Sequence, residues 1–410
     1  MESTKSVRVL IVGAGAISKV HVQAVAKLAA AVAEPGTDSS VQSPLSSVPR
    51  PQLVAVVDTV IERALALVDF WLSLRPEGGL TSASSTIMTA ASLDQLVTGA
   101  KTEMSSATPA VADAAKASDA ANIADIADVA LLAVPHALHD PLALQLLAAG
   151  LDILIEKPLA ISVRACDNIL QAAAAHQRVV GVGHVQPYFP AVMAAARLLE
   201  KNCIDGLVFA LDRRFVDYFT AQRPRWFLDR QLSGGGIWFN LGAHSIDRLL
   251  QLVREPVIGV QAHLGFHAPP HVPPDIESDG LATLTFASGL QASIAISGLP
   301  GQTVNETELV GRRGRLRVVP ENSLFITTGQ QWETLDPMQI LGKPALPPFT
   351  QLWADFLQAV ATRRQPPVNG WYGRQVIQIL EALYRSSETG HPVAIASNPS
   401  APSPHTSLLR

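Results

Sequence analysis

Apolar residues follow two rhythms along this chain. Val7–Val12, Leu53–Val57, Val129–Val134, Leu151–Ile155 and Val179–Val182 are short, nearly unbroken apolar runs. A strand without a polar face is one buried on both sides, as in a parallel sheet. Helical segments fall between these runs. One follows the glycine-rich turn at 13–18 and continues to about Ala33. A second spans His139 to Ala149 and stops at Gly150. A third is capped by Ser162 and runs to about His176. Strand–helix alternation of this kind predicts a doubly wound α/β Rossmann domain, placed at residues 1–158.

After about residue 205 the rhythm changes. Leu281–Phe286 and Leu290–Ile296 alternate side to side around Ala-Ser-Gly, and Thr307–Val310 and Arg315–Val319 flank Gly-Arg-Arg-Gly. Both pairs predict hairpins. Residues 159–396 are therefore expected to form an α+β domain, an antiparallel sheet covered by helices on one face. Helical stretches over Phe349–Ala361 and Gly373–Ser387 close it. Two segments read as insertions into the first domain: 34–52, rich in Pro, Ser and Gly, and 98–124, rich in Ala, Ser and Thr. The tail 397–410 reads as disordered.

A length of 410 residues fits two domains, and a 48% hydrophobic share fits a globular fold. The net charge of −4 is scattered, so neither nucleic acid nor a membrane surface is an expected partner. Cys166 and Cys203 are too few for a disulfide framework and read as small buried hydrophobes in a reducing compartment. Val7–Val12 is too short for a signal-peptide core, and no stretch approaches the ~20 apolar residues of a membrane span. A cytoplasmic protein is expected.

Candidate chemistry begins at Gly13-Ala14-Gly15-Ala16-Ile17-Ser18, directly after the first strand. A dinucleotide needs a tight turn, a bare backbone against its pyrophosphate, and a small residue for helix–strand packing. Gly13 and Gly15 supply the first two, Ser18 is small enough for the third, and the helix start at Ala16 and Ile17 offers free N–H groups. Asp58 ends the second strand, where a carboxylate can accept from ribose hydroxyls and repel a 2′-phosphate. It can also cap the following helix. NAD is favoured, and Arg63 keeps NADP possible. Pro135 and His136 lie at the carboxyl end of another strand, the ligand edge of such sheets. His139 reads as a helix-start residue. Neither this histidine pair nor His263, His267 and His271 is expected to converge on a metal. Glu156-Lys157-Pro158 closes a further strand at the same edge. The Lys157 ammonium can polarise a carbonyl or steady an alkoxide, or else pair with Glu156 at the surface.

The richest segment is 231–247. Gly234, Gly235 and Gly236 give a backbone that bends freely and lies close to a ligand. A helix follows, with Asn240, His244 and Asp247 at i, i+4 and i+7 on one stripe. Such a ladder can hold a hydroxyl and move its proton. Asp247 reads as a buried hydrogen-bond partner within that helix.

These pieces, in this order, resemble the Gfo/Idh/MocA oxidoreductases: GAGAISKVH at 13–21, VVD at 56–58, SLDQLV at 92–97, VPHALH at 134–139, EKP at 156–158, GVGHVQPYFP at 181–190 and GGGIWFNLGAHSID at 234–247. The C-terminal GWYGRQVIQILEALYRSS is similar too. The resemblance implies a Rossmann domain, a second domain with a large, mostly antiparallel open sheet, and a nicotinamide nucleotide between them. It implies that Lys157 touches both nicotinamide and substrate, with a cis bond to Pro158, and that His244 is the family histidine. Asn240 stands where the family often has aspartate; it can bond a hydroxyl but cannot take a proton. Pro187-Tyr188 stand where an arginine is frequent.

The expected protein is an NAD(P)-dependent oxidoreductase acting on a secondary alcohol or ketone of a sugar, cyclitol or related polyol. His244 is the expected base. Lys157 stabilises the alkoxide, and Asn240 positions the hydroxyl. Gly13, Gly15, Ala16, Ile17, Asp58, Pro135, His136, Glu156 and Lys157 are expected at the cofactor. His184, Tyr188, Arg225 and Trp226 are candidate substrate contacts. Rival readings are a non-catalytic nucleotide-binding regulator and a dihydrodiol dehydrogenase. A homodimer or homotetramer is expected.

Overall fold

A computed structural model describes residues 6–33, 45, 47–74, 87–98, 122–321, 323–342 and 346–396. Six strands form the first sheet: β1 (Ser6–Val12), β2 (Arg50–Val57), β3 (Met88–Ala90), β4 (Val129–Leu132), β5 (Asp152–Ile155) and β6 (Val180–Val182). Their order is β3-β2-β1-β4-β5-β6, and every neighbouring pair is parallel. All four residues of β4 and of β5 are buried, which is why their sequences carry no polar face. Polar Arg8 in β1 is accommodated at the sheet's rim, where its guanidinium meets Asp128 at 2.8 Å. The chain leaves β1 and β4 in opposite directions across the sheet, so a ligand crevice opens at their carboxyl ends.

Three expectations shift. β2 starts at Arg50, inside the expected loop 34–52; residues 34–44 and 46 lie outside the described residues. The described ends of the 98–124 insertion are short helices, Leu93–Thr98 and Ile123–Ile126, and 99–121 lie outside the description, as does the tail 397–410. The expected boundary at 158 falls between two strands of one sheet, because β6 pairs with β5.

The first helix, Ala16–Ala33, is long and apolar enough by length and composition to cross a membrane, although Lys19, His21, Gln23 and Lys27 interrupt its apolar residues. Packing accounts for its apolar side. It buries Val22, Val25 and Leu28, and lies against the helices Ile61–Ser73 and Pro348–Thr362.

The second sheet has nine strands: β7 (Leu207–Phe215), β8 (Val257–Gly265), β9 (Asp279–Phe286), β10 (Gln291–Ser297), β11 (Val304–Gly311), β12 (Arg315–Val319), β13 (Ser323–Thr327), β14 (Glu333–Leu335) and β15 (Val393–Ala394). Their order is β14-β13-β12-β11-β7-β10-β9-β8-β15. β10 runs parallel to β7, and the other neighbours are antiparallel. The helices Pro190–Glu200, Ala243–Val253 and Gly370–Thr389 cover one face. The other leaves Phe209, Leu211 and Leu281 exposed.

A fully buried ion pair locks the helix Ala243–Val253 to this sheet. Arg248 donates to Asp212 Oδ2 at 2.6 and 3.0 Å and to Asn305 Oδ1 at 2.8 Å. Thr307 donates to the same Oδ2 at 2.6 Å. All three bonds to Asp212 fall on one oxygen, and its Oδ1 has no hydrogen-bond partner. The pair fixes the height of the helix that carries the candidate site. The last two helices fold back onto the first domain, Pro348–Thr362 on the first helix and Gly370–Thr389 on Val163–Ala175, so the crevice has a tied frame.

Candidate active site

The nucleotide wall is made mostly of backbone. Gly13 has φ +96°, and a Cβ there would fall 2.2 Å from the Ala133 carbonyl oxygen, so the turn after β1 requires glycine. Ser18, fully buried, donates to the Gly13 carbonyl at 2.6 Å, which explains a serine at the third small position. Gly15 has nothing within 4 Å of its absent Cβ; it and Ala16 are exposed at the helix start, with Ile17 half-buried beside them. Asp58 accepts from Ala14 N and from Val60 N, each at 2.8 Å. The loop and the helix turn thus hold the carboxylate still, and its remaining lone pairs can meet a ribose. An open helix start, a Cβ-free glycine and an immobilised carboxylate together fit a dinucleotide.

At the end of β4, Pro135 precedes a short turn carrying His136. Its Nδ1 lies 2.7 Å from the Ser233 carbonyl oxygen, so the proton sits on Nδ1. Burial, then the neighbouring His139 and Lys157, push its pKa well below the ordinary histidine value. Trp226, half-buried, packs edge-on against this ring at 4.8 Å and stacks on Phe227 at 3.7 Å. His136 and Trp226 thus form one aromatic lip of the crevice. Arg225 is exposed beside it. His139 is held inside by the carbonyls of Pro158 and Val134.

Glu156 faces the protein interior. It is buried, and its carboxylate accepts from His21 Nε2 at 2.7 Å and from Lys157 N at 3.0 Å. Trp353 Nε1 donates to the other His21 nitrogen at 3.0 Å. Burial alone would raise the Glu156 pKa, but the His21 hydrogen bond and charge, with Lys157, hold it below the usual value. Glu156 therefore clamps the strand end to the first helix and to Pro348–Thr362. The surface pair of Lys157 with Glu156 is also absent: the Lys157 ammonium turns the other way.

Lys157, joined to Pro158 by a cis bond, donates to Asn240 Oδ1 at 2.6 Å and to the Asn240 carbonyl at 3.2 Å. Asn240 Nδ2 donates to the Tyr218 hydroxyl at 3.0 Å, which fixes the amide orientation. Burial pushes Lys157 down to about 8; Glu156 opposes this, and Arg214 and Arg223 add to it. Burial pushes the Tyr218 hydroxyl up to about 12.

A buried carboxylate anchors the glycine-rich turn. Glu277 accepts from Gly236 N at 2.8 Å, Trp238 N at 3.0 Å and the Tyr384 hydroxyl at 2.6 Å. Gly234, at φ +84°, ends the preceding helical turn. Trp238–Gly242 is then a wide π-helical turn, a form found often at functional sites, before the helix Ala243–Val253 begins. This irregular turn breaks the single stripe expected for Asn240, His244 and Asp247. Asn240 reaches Lys157. His244 keeps Nδ1 without a hydrogen-bond partner. Burial and then Lys157, Arg214, His184 and Arg248 push its pKa well below the ordinary value, which favours the neutral imidazole. Asp247 lies deeper, as expected of a buried partner, accepting from the Tyr372 hydroxyl at 2.5 Å and from Gln186 N at 3.3 Å.

Two expected substrate contacts lie behind the site. His184 is fully buried, with Nδ1 3.6 Å from Asp247 Oδ2, so it sits beneath His244. Tyr188 is buried beside Asp355 and belongs to the packing between domains. Both come from GVGHVQPYFP, where polar types concealed core positions. Tyr218, Arg214, Arg223 and Glu277 were not foreseen. Each stands outside the motifs, in no local pattern that marks it. Among the described residues, no three His, Cys, Asp or Glu residues gather as metal ligands.

Comparisons with known proteins bear on the fold and family. The family model described as the oxidoreductase family, NAD-binding Rossmann fold, matches residues 7–184, and that of the GFO/IDH/MocA C-terminal domain matches 192–317. The chain is 27% identical over 194 residues to 1-carboxy-3-chloro-3,4-dihydroxycyclohexa-1,5-diene dehydrogenase of Comamonas testosteroni, covering 47% of this chain and 46% of that protein. This match spans less than half the relative's length. Inositol 2-dehydrogenase 2 of Saccharopolyspora erythraea is 27% identical over 275 residues, covering 65% of this chain and 76% of that protein. Among solved structures, levoglucosan dehydrogenase in complex with NADH superposes with a TM-score of 0.74 at 18% identity, covering 96% of this chain and all of the other. The Rossmann sheet, the open second sheet and the two family matches agree: this chain belongs to the Gfo/Idh/MocA family of NAD-binding oxidoreductases.

Proposed function

We propose that this protein is an NAD-dependent dehydrogenase or reductase that interconverts a secondary alcohol and a ketone on a sugar, cyclitol or related polyol. One observation carries the reading. An ammonium (Lys157), an amide (Asn240) and an imidazole with a free Nδ1 (His244) converge from two domains at the edge of the nucleotide crevice. NAD, when bound, supplies the hydride acceptor or donor. Neutral His244 takes the hydroxyl proton during oxidation and returns it during reduction. Lys157 donates to the developing alkoxide, and Asn240 holds that ammonium in place. The inositol dehydrogenase relative supports a cyclitol, and the Comamonas relative extends the class to cyclic vicinal diols. A non-catalytic regulator would have no use for both Lys157 and His244.

The test is NADH formation at 340 nm across a panel of polyols, cyclitols and cyclic diols, with product identification. His244→Ala should lower turnover of the best substrate by about 10²–10⁴. Turnover within a few-fold of the parent refutes the base assignment. The exposed outer face of the second sheet, with Phe209, Leu211 and Leu281, supports a homodimer or homotetramer, which light scattering on purified protein checks.

A further inference from the structure

On the reading that Lys157 serves a hydride-transfer site, one buried chain of hydrogen bonds gains a purpose. We propose that His21 is a positioning residue for Lys157, acting through the carboxylate of Glu156. His21 lies on the first helix, on the face that also buries Ser18, Val22, Val25 and Leu28. Its imidazole is fully buried on that largely apolar stripe. Phe349 and Trp353, from the helix Pro348–Thr362, stand edge-on to the ring at 5.0 and 6.1 Å. Inside this aromatic cage both ring nitrogens still find partners. An indole N–H can only donate, so the 3.0 Å bond from Trp353 Nε1 makes His21 Nδ1 an acceptor. The single ring proton then sits on Nε2, which donates to Glu156 Oε1 at 2.7 Å. Glu156 Oε2 accepts from Lys157 N at 3.0 Å. Both Glu156 oxygens are thus used as acceptors, the pattern of a carboxylate. Room is kept for that group: a Cβ on Gly183, just after β6, would fall 2.9 Å from Oε1.

Two consequences follow for Lys157. The first is spacing. The helix whose start faces the nucleotide carries His21 in its second turn, about 7.5 Å along the axis from Ala16. Two hydrogen bonds therefore tie the cofactor wall to the lysine backbone. The second is charge. Asn240, which the ammonium touches, is neutral, whereas Glu156 places a buried negative charge on the adjoining residue. A buried carboxylate stays ionised through the hydrogen bonds it receives. The groups acting on Lys157 are Glu156, which favours its proton, and Arg214 on β7 and Arg223 after β7, which oppose it. His136 after β4 and His244 on the site helix also face it. Without the His21 donor, Glu156 would take up a proton more readily, and Lys157 would lose its own at lower pH.

The experiment compares the whole protein with His21→Leu, which removes the donor, Glu156→Gln, which removes the charge, and His21→Gln, which keeps a donor near Nε2. Competitive labelling of Lys157 with acetic anhydride across neutral to alkaline pH, read by mass spectrometry, gives its titration midpoint without any substrate. The parent midpoint should lie at about 8. His21→Leu and Glu156→Gln should each lower it by about one pH unit, and His21→Gln should restore most of that shift. With the best polyol, kcat should fall about tenfold or more in the first two variants, while NADH affinity moves less than about twofold. Should His21→Leu fail to fold, Glu156→Gln and His21→Gln still decide. An unmoved midpoint overturns the proposal, and so does a kcat loss matched by an equal loss of NADH affinity, since either makes the chain plain packing. A His21→Gln variant that behaves like His21→Leu overturns it too. The parent reading fails separately. A shifted midpoint in a protein that never changes the 340 nm absorbance refutes the oxidoreductase, and polyol oxidation with an unmoved midpoint refutes only this inference.

Discussion

The two walls of the crevice are built from different materials. The nucleotide wall is backbone: a turn at Gly13, an exposed Gly15, a helix start and one carboxylate held by two amides. The substrate wall is side chains drawn from distant segments: Lys157 after β5, Tyr218 and Arg223 from the loop after β7, Asn240 and His244 from the π-turn and the helix after it. A backbone wall recognises what every dinucleotide shares. A side-chain wall can be rewritten residue by residue, so specificity sits there.

The contrast can be broken at several points. The largest effect is expected at Lys157. Lys157→Met should cut kcat by about 10²–10⁴ while NADH affinity, read by fluorescence titration, moves little. A parallel loss of NADH binding would mean that the two walls are not separable. Next is the pair of glycine variants. Gly13→Ala forces a Cβ against the Ala133 carbonyl at positive φ and should cost about 2–5 kcal/mol of stability, seen in thermal melts. Gly15→Ala meets no atom, so stability should stay within about 1 kcal/mol while NAD affinity falls. Equal melting shifts in the two variants would contradict a turn defined by Gly13.

A smaller effect is expected behind the substrate wall. Glu277→Gln keeps the shape but offers only one acceptor oxygen to Gly236 and Trp238. It should cost about 1–3 kcal/mol by denaturant titration and lower kcat through a misplaced π-turn. The smallest effect is in pH dependence. Lys157 works as an ammonium and is lowered to about 8, so kcat/KM should fall as pH rises through about 8; an ordinary lysine would hold until above 10. Arg223→Met removes one depressing cation and should shift that limb upward.

The same contrast explains what the sequence could reveal. The parallel sheet, the hairpins and the Gly13–Ser18 turn are local patterns, and local patterns survive in one dimension. Lys157 and His244 could be singled out as candidates because each sits inside a compact motif at the end of a strand or beside glycines. Arg214, Tyr218 and Glu277 were not, because only the β7 register and the helix-on-sheet packing bring them to the site. Glu156, His184 and Tyr188 were misplaced for the opposite reason. A polar residue near a motif looks functional, and nothing in the string shows that His21, Asp247 or Asp355 awaits it inside. The π-turn at Trp238–Gly242 was hidden because a regular helix and a bulged one share the same apolar spacing.

The most direct test is a crystal structure with NADH and the best polyol from the substrate panel. The account predicts the reacting oxygen within about 3.2 Å of both Lys157 Nζ and the His244 ring. A reacting oxygen held by Tyr218 or His136 instead, with Lys157 still bound to Asn240 and out of reach, would contradict it.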